Sequence, residues 1–207
     1  MDLQAVIFDF GGVIAYTPTR EKFDQWARDL GADADRFYSA FWDLRRDYDA
    51  LKLDAGEYWA RVAQASGFEV TGDSLPRLVQ KETNFWTVYD EGMVGYIASL
   101  RANGFQTAML SNLPPAMGAE LRATHGLLDN FDQITFSFEV GLVKPQAEIY
   151  LHCCRELGVD PAKALFLDDR PENVEGARVA GLQAEVYSDW ENFVARSEEH
   201  TSELQSL

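Results

Sequence analysis

Three features of the sequence predict an α/β fold with a doubly wound parallel sheet and an inserted helical cap. Four runs are near-continuously apolar rather than alternating, as strands buried on both faces are. Helical patterns separate the last three of these runs, each closing on a glycine. A long stretch after the first run carries helical periodicity with no convincing strand.

The first run, AVIFDF (5–10), contains Asp9 near its end and leads into Gly11 and Gly12. Residues 15–88 then read as the cap, in the patterns TREKFDQWARDLG, DADRFYSAFWDLRRDYDALK, DAGEYWARVAQASG and DSLPRLVQKETNFW. This segment holds all but one of the five Trp, enough apolar anchorage for a small helical bundle. The helix MVGYIASLRANG feeds the second strand, QTAMLS (106–111). PAMGAELRATHG leads to the third, QITFSF (133–138), and AEIYLHCCRELG to the fourth, ALFLD (164–168). PENVEGARVAG follows, with Pro171 where a first helical turn tolerates it. This alternation is that of βαβ units, and it assigns residues 1–14 and 89–195 to the core. Residues 196–207 match the translation of a widely used sequencing-library adapter, so they are read as a non-native tail and set aside.

Composition narrows the partners. The 207-residue chain is 46% hydrophobic and 25% charged, as in an ordinary globular protein, and its net charge is −16. Binding to nucleic acid or to an anionic membrane requires a basic face, so neither is expected. No apolar run approaches a membrane span and no signal segment opens the chain, so a cytoplasmic location is expected. Cys153 and Cys154 are adjacent in a helical pattern, which suits two packing thiols better than a disulfide or a zinc site.

In an open parallel sheet the ligand crevice lies off the carboxyl ends of the strands. Asp9, Ser111 with Asn112, and Asp168 with Asp169 fall at or just past such ends, and Lys144 sits in the loop GLVKP after the third. The chemistry that fits is phosphoryl transfer through a carboxylate, with Asp9 attacking phosphorus. Hard oxygen ligands such as Asp9 and Asp169 favour Mg2+ as the balancing cation. Lys144 adds a fixed ammonium, Ser111 or Asn112 donates hydrogen bonds, and Gly11 and Gly12 let backbone amides face the phosphate.

Four segments in order, FDFGG (8–12), LSN (110–112), GLVKP (141–145) and FLDDRPENVEGARVAG (166–181), resemble the haloacid dehalogenase superfamily across residues 4–195. The insertion resembles the four-helix cap of its small-molecule phosphatases, including sugar-phosphate phosphatases and the phosphatase domain of epoxide hydrolases. The resemblance implies a Rossmann-like core, a small phosphorylated metabolite as substrate, Asp9 as nucleophile and metal ligand, and Ser111 as phosphate binder supported by Asn112. It also implies Lys144 as charge-balancing cation, Asp169 and Asp168 at the metal, and Asn173 near the site. Most phosphatases of the superfamily carry a second aspartate two residues after the nucleophile as acid and base; here Gly11 offers only its carbonyl, to the metal. That predicts a slow phosphatase or one specialised for a good leaving group.

Two alternatives follow. Metal-independent 2-haloacid dehalogenases resemble the chain in LSN and KP, yet usually carry serines where this chain has Asp168 and Asp169. A non-catalytic protein binding a phosphorylated ligand or a partner is the other, kept open by Gly11. Specificity is expected from Tyr16, Thr17, Trp42, Arg45 and Arg46 as the cap closes over the crevice. No role falls to His125, His152 or His200.

Overall fold

The computed structural model describes residues 3–123 and 126–195; the adapter-like tail, His125 and His200 lie outside the described residues. The sheet is made of β1 (Ala5–Phe8), β2 (Gln106–Ser111), β3 (Gln133–Phe136), β4 (Ala164–Asp168) and β5 (Gln183–Val186). All pair in parallel, in the order β3-β2-β1-β4-β5. The chain winds one way from β1 to β3 and the other way through β4 and β5. The reversal places the topological switch between β1 and β4, where such sheets open a crevice at their carboxyl ends.

Alternate strand residues face opposite layers. Val6, Phe8, Met109 and Leu167 pack against α6 (Glu91–Ala102) and α7 (Pro115–Ala123) through Met93, Ile97, Met117 and Leu121. Ala5, Ile7, Ala108, Leu110 and Phe166 pack against α9 (Ala147–Leu157) and α10 (Pro171–Val179) through Ile149, Cys153, Val174 and Ala177. Cys153 and Cys154 are buried free thiols.

Between β1 and α6 the chain forms α1 (Arg20–Leu30), α2 (Ala34–Asp43), α3 (Arg45–Asp49), α4 (Ala55–Ser66) and α5 (Leu75–Asn84). They enclose a core of their own, built on Phe23, Trp26, Phe37, Phe41, Trp59 and Val62. Asp54 and Glu57 form a reciprocal capping box that starts α4.

Several boundaries differ from expectation. β1 stops at Phe8 and β3 at Phe136, because Ser137 opens the short helix α8 (Ser137–Val140). The pattern at 33–52 is two helices, broken at Leu44. No strand was expected at 183–186: β5 is an edge strand with two of its four residues exposed, so it has no apolar run to announce it.

Candidate active site

Asp9 follows β1 directly and remains in register, its N–H donating to Leu167 O at 2.9 Å. Its Oδ1 accepts from Phe10 N at 2.7 Å and from Ser111 Oγ, at the end of β2, at 2.9 Å. Lys144 arrives from the loop after α8. The side chain of Asn112 fixes that loop by accepting from Lys144 N at 2.9 Å and donating to Lys144 O at 3.1 Å. On the far side, a Cβ at Gly176 would lie 2.5 Å from Pro145 O, so α10 closes on the loop only because residue 176 has no side chain.

The Lys144 ammonium sits 2.7 Å from Asp9 Oδ1 and 2.6 Å from Asp168 Oδ2, at 3% exposure. Asp168 is fully buried and also accepts from Arg170 N at 2.9 Å and from Asn173 Nδ2 at 2.9 and 3.1 Å. Burial would raise its carboxyl, but Lys144 and these donors outweigh burial and hold it below the ordinary range. Asp9 has less help: burial pushes it up to about 7 against the pull of Lys144. Burial would lower Lys144, yet Asp168 and Asp9 keep its ammonium above the ordinary value.

Asp169 is the third carboxylate. A Cβ at Gly12, whose φ is +80°, would lie 2.3 Å from Asp169 Oδ2, so glycine admits the carboxylate as well as the turn. Burial, then Asp168, raises Asp169 to about 6. Oxygens of Asp9, Asp168 and Asp169 lie within 4.8 Å of one another, and when all three are ionised they exceed the one ammonium by two negative charges. An all-oxygen donor set with that excess fits a hard divalent cation.

These groups border a cavity of about 440 Å³ whose other wall includes Trp42, Arg45 and Arg46 of the cap. Every sequence-chosen residue other than Gly12, Tyr16 and the deeply buried Asp168 lines it; Gly12 and Tyr16 border a neighbouring hollow with Asp90 and Tyr187. Thr17 and Arg46 are exposed at the cavity. Arg45 is already committed: its Nε donates to Asp49 Oδ1 at 2.9 Å, and Nη1 pairs with Glu82.

Sequence reasoning missed Asp49 and gave Trp86 only a packing role, yet both line the cavity. A Cβ at Gly11 would lie 2.8 Å from Trp86 Cζ3, so the indole fills the space a side chain at 11 would need. Ser137, also missed, ties the layers: its Oγ donates to Asp49 O at 2.7 Å and accepts from Leu113 N at 3.0 Å. Its only local signal is a serine set between Phe136 and Phe138.

The family model for haloacid dehalogenase-like hydrolases matches residues 3–181. A D-ribitol-5-phosphate phosphatase of Bacteroides thetaiotaomicron is 28% identical over 91% of this chain and 95% of its own. A sesquiterpene phosphatase of Aspergillus oryzae is 26% identical over 86% and 87%, and an (S)-2-haloacid dehalogenase of a Pseudomonas species 25% over 87% and 82%. Among solved structures, a haloacid dehalogenase family enzyme of B. thetaiotaomicron in a magnesium complex superposes with a TM-score of 0.73 at 18% identity, over 90% of this chain and 94% of that one. No helix among the described residues is long and apolar enough to cross a membrane.

Proposed function

The chain belongs to the haloacid dehalogenase-like hydrolase family, and from that premise we propose that it is a magnesium-dependent phosphatase of small phosphorylated metabolites, with Asp9 as nucleophile. The observation that carries this reading is the cluster of Asp9, Asp168 and Asp169 around a single Lys144. A dehalogenase attacking carbon has no use for two carboxylates beyond the nucleophile, whereas a phosphatase needs local positive charge to admit a dianion. Asp9, Asp168, Asp169 and the Gly11 carbonyl would hold the magnesium ion, which when bound supplies that charge. The relatives named as phosphatases support the same reaction class.

The chain's own groups divide the remaining work. An Asp9 Oδ forms the bond to phosphorus as the ester P–O bond breaks, and the leaving oxygen departs with the electron pair. Water then attacks the aspartyl-phosphate, releasing inorganic phosphate and restoring the carboxylate. Lys144 stays between Asp9 and Asp168, offsetting negative charge beside the phosphoryl oxygens. Ser111 Oγ, now donating to Asp9, turns its hydrogen bond to the phosphoryl group, with the amides near Gly11 and Gly12 beside it. Asn112 keeps Lys144 in place from behind. Among the specificity candidates, Arg45 is held by Asp49 and Glu82, so Thr17, Trp42 and Arg46, which also line the cavity, would meet the leaving group.

Phosphate release from acetyl phosphate and a panel of sugar phosphates, with and without magnesium, tests the reading. Turnover should require the ion and fall on the order of 10³-fold or more in Asp9→Asn. Turnover unaffected by that substitution, or metal-free turnover of 2-haloacids alone, would sink it.

A further inference from the structure

Resting on the phosphatase reading, we infer that the substrate is a phosphate monoester with an apolar, planar leaving group of low basicity, of which an aryl phosphate is the simplest form. Two features of the cavity lead there.

The first is the wall behind the phosphate position. The space beside Gly11, two residues past the nucleophile, is occupied by Trp86, which arrives from the chain between α5 and α6. Trp42 stands edge-on to it, with ring centroids 6.4 Å apart and planes at 90°. Phe10, Leu113 and Met117 continue the same lining. Trp42 Nε1 is buried with no acceptor among the described residues, a donor that a single polar atom of a ligand could satisfy. The polar side chains around the cavity are largely spent on one another: Ser111 on Asp9, Asn112 on the Lys144 backbone, Asn173 on Asp168, Arg45 on Asp49 and Glu82. Apart from Thr17 and Arg46, which are exposed to solvent at the cavity, few side-chain donors and acceptors are left for the several hydroxyls of a sugar, whose desolvation would then go largely uncompensated. A flat apolar body asks for none of them. The volume of about 440 Å³ accommodates such a body together with the phosphoryl group.

The second is the lack of a ready proton for the leaving oxygen. Position 11 carries no side chain, and the carboxylates lining the cavity are paired: Asp9 with Lys144 at 2.7 Å, Asp49 with Arg45 at 2.9 Å, and Glu172 with Arg170 at 2.6 Å. Asp169 belongs to the acidic cluster that faces the cation. When Asp9 Oδ bonds to phosphorus and the ester bond breaks, the electron pair therefore leaves on an unprotonated oxygen, which later takes its proton from water. A phenolate-type oxygen carries that charge by delocalisation; an alkoxide does not. The same indole thus excludes an acid and receives an apolar ring.

Four substrates given to the intact magnesium-loaded protein separate the two features: 2-naphthyl phosphate, hexyl phosphate, glucose 6-phosphate and acetyl phosphate. Hexyl against glucose 6-phosphate compares apolar with polar bodies on basic leaving groups, and kcat/KM should favour hexyl phosphate by about tenfold or more. Naphthyl against hexyl compares weakly with strongly basic leaving groups, and should favour naphthyl by about 10²–10⁴-fold, mainly in kcat. Trp86→Phe, checked for folding by circular dichroism, should raise KM for naphthyl phosphate more than for acetyl phosphate. Glucose 6-phosphate turned over as well as or better than hexyl phosphate, or equal KM changes in the variant, would overturn the inference while leaving the phosphatase standing. If none of the four is hydrolysed faster than by Asp9→Asn, the phosphatase reading itself fails.

Discussion

The cap and the core each bury one cation between two carboxylates, and the two clusters are built for different ends. In the cap, Arg45 joins Asp49, one turn along α3, to Glu82 of α5, with the stacked rings of Tyr48 and Tyr58 beside them, centroids 4.2 Å apart. In the core, Lys144 joins Asp9 to Asp168 across the ends of β1 and β4. A guanidinium offers a rigid fork that suits two fixed acceptors, whereas an ammonium is a compact point charge that tolerates rearrangement of its partners. The cap cluster stands on helices and joins them. The core cluster stands on strand ends and loops, includes a third carboxylate in Asp169, and keeps a charge deficit that a ligand can fill. One cation between two carboxylates therefore marks a brace in one place and, on the proposed function, a reaction centre in the other; what differs is the third acid.

The sharpest way to break this comparison is to remove each cation. Lys144→Met and Arg45→Met both leave buried carboxylates uncompensated, and each should lose about 3–5 kcal/mol of stability without added metal. Magnesium should then restore much of the lost thermal stability to Lys144→Met and little to Arg45→Met, read by denaturation with and without the ion. Equal rescue of both variants would show that the clusters are not different in kind.

A pH series sharpens the same contrast with a smaller effect. Burial, opposed by Arg45, raises Glu82 from its ordinary 4.5 to about 7, and burial, opposed by Lys144, raises Asp9 from 3.8 to about 7. Each carboxyl binds its proton more tightly folded than unfolded, so stability should fall as pH rises from the unfolded values through about 7. In metal-free protein, Glu82→Gln and Asp9→Asn should each flatten that fall. With magnesium present, only Glu82→Gln should still do so, as followed by Tm between pH 4.5 and 8.

The smallest effect is expected at the seam between the regions. Ser137→Ala leaves the Asp49 carbonyl and the Leu113 N–H without their buried partner, which should cost about 1–2 kcal/mol. Because Asp49 and Leu113 both border the cavity, KM should move with it while kcat changes less. An unchanged Tm and KM would mean that this serine does not join cap to core.

Much of the architecture was legible because apolar continuity and helical periodicity are properties of the chain itself. The runs containing β1 to β4 and the patterns of α6, α7, α9 and α10 came through, since each buries a long apolar face. β5 did not, because an edge strand half open to solvent needs no such face. The break at Leu44 within one continuous amphipathic pattern was equally hidden, as periodicity carries across it.

For the site, the sequence by itself determined which strand ends carry acid and hydroxyl and which loop carries the ammonium, because a polar residue closing a buried strand stands out against its neighbours. Only the tertiary structure decided how those groups pair: that Lys144 divides its charge between Asp9 and Asp168, that Arg45 turns inward to Glu82, and that Trp86 fills the space beside Gly11. Those partners are distant in the chain and meet through packing of the cap on the core, and neither periodicity nor local spacing records which side chain will occupy a space that another residue leaves empty.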